Sequence, residues 1–325
     1  MHAFRTLVLL VALATGLQAA AHAQTTQDWP NRPVRLIVPF AAGGSTDVAA
    51  RLIGDYLSRA AGQQFYVENR AGANGVIGMD AAAKSDPDGY TILITADAVA
   101  SNPHVYKVGH DPLKDLAPVI QLSRQPVVLA VHPSLGVSTL DELVALVKRE
   151  PGLRYATGSG QGSPQHMVVQ WFAKRAGIEL EQVAYRGGGA AINDLIGGHV
   201  KLGSLGSTPL MPHYKAGALR LLAQTTAARS QSLPDVPTFE EAGFKGLVLD
   251  QWLGVFVPAG TPAAIVTRLN ADIGKALADP AIRGNLVQSA QEPIGGTAEA
   301  FGARVREDFE KYGRLVQELS IKVAR

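Results

Sequence analysis

The sequence predicts an α/β fold, in which short strands alternate with helices. Two observations support this prediction. Aliphatic and β-branched runs such as Val34–Phe40 and Tyr90–Thr95 recur along the chain, and turn residues and segments with helical spacing follow them. Apolar residues make up 46% of the 325 residues, which is enough to bury a sizeable core. Strands that alternate with helices imply parallel sheets that are covered on both faces.

Charge and composition exclude several classes of protein. The net charge is +2, from 30 basic and 28 acidic residues, so the excess of Lys and Arg typical of nucleic-acid binders is missing. Only 6% of the residues are aromatic, which disfavours a stacking platform for single strands, and no nucleic-acid partner is expected. Cys is absent, so disulfides, thiolate metal sites and Cys nucleophiles are excluded.

The N-terminus has the three parts of a secretory signal peptide, residues 1–23. Arg5 supplies the basic region, Leu7–Leu17 the apolar region, and Ala21-His-Ala23 the cleavage site. A membrane anchor is the alternative, but the apolar run ends well short of the roughly 20 residues that a transmembrane helix needs. The sequence therefore predicts a periplasmic protein that is cleaved after Ala23.

The first part of the mature chain begins with a strand at Val34–Phe40. The turn residues Ala41–Asp47 follow this strand, and apolar residues on one face then predict a helix over Val48–Arg59. The further elements predicted here are a strand at Phe65–Val67, a helix at Gly78–Lys84 and a strand at Tyr90–Thr95.

The second part of the mature chain repeats this order of elements. Val127–Val131 is a strand, and Ser138 is the expected cap of the next helix because Ser138-Thr-Leu-Asp141 has capping-box spacing. Pro164 suits the first turn of a helix that continues over Gln165–Ala176. The remaining predicted strands are Leu153–Thr157, Val183–Tyr185, Val200–Leu205, Leu219–Thr225 and Leu249–Val257. The remaining predicted helices pass through Leu195-Ile196 and cover Ala263–Ala278 and Ala298–Leu319.

Two Gly-rich loops are the most informative features for function. Each lies between the carboxyl end of a strand and the N-terminus of a helix, where free N–H groups and the helix dipole attract an anion. The first loop offers Gly43, Gly44, Ser45 and Thr46, with Asp47 expected to cap the helix; the second offers Ser159, Gly160, Gly162 and Ser163. The alternative is a pair of tight turns that bind nothing. Neither loop matches a phosphate-binding or dinucleotide-binding motif.

The sequence contains no recognisable catalytic or metal-binding pattern. No Ser lies in a G-x-S-x-G elbow, and the His residues are scattered without H-x-x-x-H or H-E-x-x-H spacing. No catalytic residue, metal or cofactor is therefore expected. Trp252 lies in an apolar strand and is expected in the core rather than at a ligand, while Tyr185 could reach a cleft because Arg186-Gly-Gly-Gly189 follows it.

Taken together, several motifs resemble the Bug family, the extracytoplasmic substrate-binding proteins of tripartite tricarboxylate transporters. The similarity covers essentially the whole mature chain. The matching motifs include Trp29-Pro-Asn-Arg-Pro-Val-Arg-Leu-Ile-Val-Pro-Phe40, Gly43-Gly-Ser-Thr-Asp47, Val67-Glu-Asn-Arg70, Asp86-Pro-Asp-Gly-Tyr90, Leu195-Ile-Gly-Gly198, Leu233-Pro-Asp-Val-Pro-Thr238 and Pro258-Ala-Gly-Thr-Pro262.

This resemblance implies a two-lobed periplasmic-binding-protein fold (type II, Venus flytrap) with a cleft between lobes. Lobe 1 is expected at residues 28–124 plus 253–325 and lobe 2 at 125–252, with hinge strands near 120–128 and 249–257. The ligand is expected to be a small carboxylate bound by backbone N–H groups, hydroxyls and waters rather than by a salt bridge. The implied contacts are Ala42, Gly43, Gly44, Ser45, Thr46, Asp47, Thr95, Ala96, Asp97, Ser159, Gly160, Gln161, Ser163, Tyr185 and Gly188.

One segment departs from the family pattern. Many members carry a polar pair where this chain has Leu205 and Gly206, with Ser207 and Thr208 following as neutral donors. The missing carboxylate makes an amino acid ligand less suitable and leaves room for an apolar or aromatic body against Leu205. Asp97 would be the competing partner for a ligand ammonium group if it faced the cleft.

These features predict a monomeric periplasmic binding protein that captures a di- or tricarboxylate or an aromatic acid. It would deliver this ligand to the membrane subunits of a tripartite tricarboxylate transporter without doing chemistry. Two alternatives stay open. One is an exported α/β enzyme acting on a small acid, for which no nucleophile with its base is visible. The other is a sensory partner that presents a ligand to a membrane receptor.

Overall fold

The computed structural model describes residues 29–321, so the predicted signal peptide and its cleavage site lie outside the described residues. The strands are β1 (Val34–Val38), β2 (Phe65–Asn69), β3 (Thr91–Ala96), β4 (Leu116–Val131), β5 (Arg154–Thr157), β6 (Glu181–Ala184), β7 (Leu202–Gly206), β8 (Arg220–Gln224), β9 (Asp250–Pro258) and β10 (Glu292–Gly295). The α-helices are α1 (Ser45–Ala61), α2 (Val76–Ala83), α3 (Ala98–Ser101), α4 (Leu140–Arg149), α5 (Pro164–Ala176), α6 (Gly188–Ile196), α7 (Ser207–Lys215), α8 (Ala263–Ala278), α9 (Pro280–Gln288) and α10 (Ala298–Glu318).

The strands form a mixed sheet in the order β2-β1-β3-β9-β4-β7-β5-β6, and β8 and β10 also pair with β4. Pairing is parallel among β1, β2 and β3 and among β5, β6 and β7. The strands β9, β7, β8 and β10 run antiparallel to β4. The expectation of parallel sheets is therefore correct at both ends of the strand order and wrong in the middle.

The long strand β4 connects two lobes. Its first part, Leu116–Pro126, pairs with β9, and its last part, Val127–Val131, pairs with β7. The sequence indicated only the last part as a regular strand, because Pro118 and Pro126 interrupt the pattern of the first. The register of the β4–β9 pair shifts beside Pro118, so an irregularity in the ladder accommodates this proline.

Separate buried clusters form the cores of the two lobes. The first cluster lies around β1, β3 and β9 and includes Leu36, Ile94 and Phe256, none more than 1% exposed. A second cluster lies around β5 and α5 and includes Tyr155 and Phe172, both fully buried. A third cluster includes Leu195 and Leu205 and covers the opposite face of the second lobe's sheet. The predicted lobe limits stay a prediction, and Ala100 and Val105 of the predicted first lobe pack in the second cluster.

The last helix, α10, belongs to both cores. Phe301 and Val305 near its start pack in the first cluster, whereas Tyr312, Leu315 and Val316 pack in the second. A helix of 21 residues is about 32 Å long, which is enough to reach from one core to the other. The sequence predicts the whole of this segment in lobe 1, because helical spacing does not say which core each turn contacts.

Most predicted elements are confirmed with small shifts of their ends, and α8 has the predicted bounds. The predicted cap of α4, Ser138, was wrong by one residue. Thr139 caps the helix and accepts a hydrogen bond from the N–H of Glu142, while the N–H of Ser138 donates to the Glu142 carboxylate. The helices α7 and α9 and the strand β10 were not predicted, because they are short and contain Pro or Gly. Within residues 29–321, each helix is too short or too polar to cross a bilayer.

Candidate ligand-binding site

The N-termini of four helices, α1, α5, α6 and α7, line one small cavity between the lobes. Its volume is about 30 Å³, which suits a group of a few heavy atoms. The lining residues are Phe40, Gly44, Ser45, Thr46, Ala96, Gly158, Ser159, Gln165, Gly188, Gly206, Pro209 and Gln251. Since free N–H groups and the positive end of the helix dipole lie at each N-terminus, the cavity is suited to an anion.

The topology brings these helix starts together because each one follows the carboxyl end of a strand. The strand β1 leads into α1, β5 into α5, β6 into α6 and β7 into α7. The helix α1 comes from the first lobe, while the other three come from the parallel strands of the second lobe. Donors from both lobes therefore converge on the same cavity.

Gln165 contributes a side-chain amide to the lining of the cavity. Its Oε1 accepts a hydrogen bond of 2.8 Å from the N–H of Gly158. This bond leaves the Nε2 group of Gln165 as a donor toward the cavity that the residue lines. Thr46 and Ser159 also line the cavity and are only 5% and 7% exposed. The cavity thus offers neutral donors for a negatively charged group.

Two hydroxyl groups that were predicted to contact the ligand donate hydrogen bonds to protein oxygens instead. The Oγ of Ser45 donates to the Oε1 of Gln125 at 3.1 Å, although Ser45 itself lines the cavity. The Oγ of Ser207 donates to the carbonyl oxygen of Ala290 at 2.9 Å, and Ser207 does not line the cavity. Both hydroxyls therefore contribute to the contact between the lobes.

Asp47 lies behind the first Gly-rich loop, where its carboxylate is hydrogen-bonded to other protein groups. Its carboxylate accepts hydrogen bonds from the N–H of Gly43, the guanidinium of Arg51 and the side-chain amide of Asn69. Burial raises the pKa of the Asp47 carboxyl, but these three hydrogen-bond donors outweigh burial and bring the pKa below its ordinary value. The carboxylate is thus charged and paired, and it holds the loop. The prediction that Asp47 caps α1 is wrong, because Gly44 occupies the cap position and no side chain caps this helix.

Asp97 and Trp252 both lie in the core rather than at the cavity. Asp97 is 0% exposed, and its Oδ2 accepts a hydrogen bond of 2.7 Å from the hydroxyl of Tyr312. Burial raises the pKa of Asp97 to about 8, and the nearby charge of Asp308 adds to this effect. Trp252 is also fully buried and donates to Asp308, which agrees with the expectation that it belongs to the core.

Only some of the other residues predicted to contact the ligand line the small cavity. Gly44, Thr46, Ala96 and Gly188 line it. Ser163 is fully buried and caps α5, because its Oγ accepts a hydrogen bond from the N–H of His166. The predicted contacts that line neither this cavity nor the larger chamber beside it are Ala42, Gly43, Asp47, Thr95, Asp97, Ser163, Leu205 and Ser207.

A second, larger chamber adjoins the small cavity and shares Phe40, Gly158 and Ser159 with it. Its volume is about 290 Å³, and it also contains the predicted residues Gly160, Gln161 and Tyr185. The remaining lining residues are Gly72, Ala73, Asn74, Gly75, Tyr106, Gln182, Ala184 and Arg186. Arg186 is the one charged side chain in the lining of either chamber within residues 29–321.

The lobes touch beside these chambers. The N–H of Gly160 donates to the Oδ1 of Asn74 at 2.9 Å, and the Cα of Gly189 lies against the loop at Gly43. A Cβ on Gly189 would lie 2.4 Å from the carbonyl oxygen of Ala42, so only glycine permits this approach. The cleft is therefore closed in this structure.

Six lining residues were not predicted as ligand contacts from the sequence, namely Phe40, Gly158, Gln165, Gly206, Pro209 and Gln251. A signal was present for Gln165, since it lies in the first turn of a helix that follows a Gly-rich loop. No sequence signal pointed to Gln251. It lies in an apolar strand and reaches the cavity only because β9 pairs with β4 beside it.

The chain is similar to known proteins over most of its length. A family profile described as "Tripartite tricarboxylate transporter family receptor" matches residues 49–321. Protein BugT from Bordetella pertussis is 35% identical over 324 residues, covering 97% of each chain.

Two solved structures with ligands are also similar. Rpa4515 from R. palustris with adipate has a TM-score of 0.87 at 34% identity, covering 90% of this chain and 99% of that one. MatC from Rhodopseudomonas palustris with bound malate has a TM-score of 0.82 at 28% identity, covering 89% of this chain and 100% of that one.

Proposed function

This chain belongs to the Bug family of tripartite tricarboxylate transporter receptors, and we propose that it captures a small organic carboxylate in the periplasm. It releases the ligand unchanged to the membrane subunits of such a transporter. The observation that carries this proposal is the convergence of four helix N-termini on a cavity of about 30 Å³. A carboxylate placed there receives backbone and amide hydrogen bonds from both lobes.

The adjoining chamber accommodates the rest of the ligand. A volume of about 290 Å³ fits a body of several carbon atoms, and Arg186 at this chamber suits a second carboxylate. The adipate and malate bound by the similar structures are both dicarboxylates, which supports a diacid as ligand here. We therefore rank aliphatic diacids first, followed by aromatic acids.

The ligand carries no amino group in this proposal. A buried ammonium group needs a carboxylate partner, since an unpaired buried charge is very costly. Among the described residues that line the two chambers there is no Asp or Glu. Asp97, the competing partner considered from the sequence, is fully buried and bonded to Tyr312.

Calorimetric titration with matched pairs of acids tests this function. We expect adipate or malate to bind, and the matching amino acids 2-aminoadipate and aspartate to bind at least tenfold more weakly. Mass analysis of the recovered ligand should show the acid unchanged. Preferred binding of the amino acids, or conversion of the acid, would contradict the proposal. Light scattering of the loaded protein should give the mass of a monomer.

Export is tested separately from binding. We propose that the chain enters the periplasm and is cleaved after Ala23, because Arg5, Leu7–Leu17 and Ala21-His-Ala23 have signal-peptide order. N-terminal sequencing of the protein recovered from the periplasm should begin at Gln24 or within two residues of it. Recovery of intact Met1 in the membrane fraction would contradict this assignment.

A further inference from the structure

A single buried glutamine joins the two lobes behind the ligand cavity. Gln125 is 2% exposed and lies on β4, where the strand passes from its pairing with β9 to its pairing with β7. It lines a hinge-side cavity of about 520 Å³, whereas its neighbour Gln251 lines the ligand cavity on the other side. Gln125 therefore lies between the two cavities and does not line the ligand cavity.

The Oε1 of Gln125 accepts hydrogen bonds from the starts of two helices in different lobes. The Oγ of Ser45, at the start of α1, lies 3.1 Å from it. At the start of α7, the Oγ1 and N–H of Thr208 lie 2.9 and 3.3 Å from the same oxygen. An amide oxygen carries a partial negative charge, so it complements the positive ends of both helices.

The orientation of the Gln125 amide follows from its partners. Its Nε2 donates to the Oε1 of Gln251 at 3.0 Å, whereas hydroxyl and N–H donors surround its Oε1. A flipped amide would point its N–H groups at the N–H of Thr208 and its oxygen at the Oε1 of Gln251, and would lose both of these hydrogen bonds. A Cβ on Gly206 would lie 2.6 Å from the Nε2 of Gln125 and 2.7 Å from the Oε1 of Gln251, so the glycine makes room for the pair.

A second glutamine reinforces the same contact. The Nε2 of Gln291 donates to the carbonyl oxygen of Ser45 at 3.2 Å and to the Oγ1 of Thr208 at 3.0 Å. Its Oε1 accepts from the Oγ of Ser123 on β4. The starts of α1 and α7 are thus held to one another through two buried amides.

We propose that Gln125 is a positioning residue for ligand capture: it holds the α1 and α7 N-termini at the spacing that one carboxylate can bridge. This inference rests on the proposed function, because both helix starts line the ligand cavity. The amide oxygen of Gln125 accepts hydrogen bonds behind the cavity, as an anion would, and so holds the two lobes together. The N–H groups of the helix starts that face the cavity stay free to bind the ligand. Opening of the cleft breaks the hydrogen bonds that Gln125 accepts from Ser45 or from Thr208. The closed cleft is therefore more stable when the Gln125 amide can accept both.

The first test replaces Gln125 by Glu and measures adipate and malate binding between pH 5 and pH 8. The charged carboxylate of Gln125→Glu adds a negative charge behind the ligand cavity and cannot donate to Gln251. We expect at least tenfold weaker binding than wild type at pH 8, and a smaller ratio at pH 5, where the new carboxyl gains a proton. The control is Gln121→Glu on the same strand, about 13 Å away, which should bind within threefold of wild type at every pH.

The second test needs no ligand. Because the chain lacks Cys, spin labels at Ala60→Cys on α1 and Ala145→Cys on α4 report the distance between the lobes. Gln125→Met removes every hydrogen bond of the amide at similar length, and should broaden this distance distribution toward longer distances. Thr208→Val removes the hydroxyl alone and replaces Gln125→Met if the latter fails to fold.

The outcomes separate the two proposals. If the wild type binds no carboxylate, the proposed function fails, and the label distances still decide the role of Gln125. If the wild type binds adipate or malate while Gln125→Met binds within twofold and keeps the same distances, the positioning role is wrong. A uniform loss of affinity in Gln125→Glu that does not change with pH would also overturn it.

Discussion

The backbone N–H of Ala41 donates a hydrogen bond of 3.0 Å to the carbonyl oxygen of Arg186. This bond joins the first Gly-rich loop to the loop that precedes α6 in the other lobe, directly beside the ligand cavity. A Cβ on Gly187 would lie 2.9 Å from the N atom of Ala41, so the approach of the two backbones depends on glycine. The contact involves no charge and no side-chain functional group, and its strength depends on how closely the lobes approach.

Gly189→Ala is expected to weaken ligand binding without harming the fold. The new Cβ lies 2.4 Å from the carbonyl oxygen of Ala42 in the closed cleft, whereas Ala is favourable within a helix such as α6. Relief of such a clash costs about 1–3 kcal/mol, so affinity should fall by about 5- to 150-fold. Calorimetric titration with adipate or malate measures the loss.

Gly274→Ala is the matched control for this variant, since a Cβ at Gly274 of α8 meets no atom within 4 Å. It should bind like the wild type. Equal affinity for Gly189→Ala and Gly274→Ala would show that the closed contact does not contribute to binding.

Gln165→Glu is expected to abolish most of the affinity at neutral pH. It replaces the Nε2 donor at the cavity by a carboxylate oxygen that repels the ligand. A hydrogen bond to a charged group is worth about 1.5–3 kcal/mol, so we expect a loss of at least tenfold in affinity. Gln170→Glu on the same helix adds the same charge where the side chain bonds Tyr155, and should leave affinity nearly unchanged.

Ser163→Ala should reduce stability rather than affinity. Its Oγ accepts a hydrogen bond from the N–H of His166 at 3.3 Å and thereby caps α5. Loss of a cap costs about 1 kcal/mol of the free energy of unfolding, which urea titration of the ligand-free protein measures. A loss of affinity at unchanged stability would instead place the hydroxyl at the ligand.

Asp97→Asn should flatten the dependence of stability on pH. The unfolded chain loses the Asp97 proton near the ordinary pKa of 3.8, whereas burial keeps it in the folded protein up to a pKa of about 8. Between these two pKa values the folded protein keeps this proton while the unfolded chain has lost it. The contribution of Asp97 to the free energy of unfolding is therefore complete below pH 4 and is lost as pH rises toward 8.

The variant is neutral at every pH, so it should become more stable relative to the wild type as pH rises from 5 to 8. The other titratable groups around it, Tyr312, Asp308 and Arg304, are the same in both proteins. Urea titrations at several pH values test this expectation, and parallel pH profiles for the two proteins would contradict it.

Local features of the sequence were sufficient to predict much of the site. The Gly-rich loops at Gly43–Gly44 and Gly158–Gly162 could be recognised because each stands between an aliphatic run and a helical pattern. Backbone N–H groups at a helix start are fixed by local geometry, so the anion-binding character of the loops needs no knowledge of tertiary contacts. The family resemblance added the prediction of two lobes, which the comparisons confirm.

The direction in which each side chain points was not predictable in the same way. Ser45 and Thr46 are adjacent in sequence, yet the hydroxyl of Ser45 bonds Gln125 while Thr46 lines the cavity. Gln125, Gln251 and Gln291 are ordinary polar residues in sequence. They acquire their role only because β4 and β9 pair and bring residues 126 positions apart within hydrogen-bond distance.

Most of the strands and helices, the two Gly-rich loops at helix starts and the family could be predicted from the sequence alone, because periodicity, turn residues and motifs are local properties of the chain. The tertiary structure decided that Asp97 is buried with Tyr312, that Ser163 caps a helix, and that four helix starts share one cavity. These facts depend on which distant segments pack together. The free energy of burial and of buried hydrogen bonds selects that packing over the whole molecule, and no short window of sequence contains it.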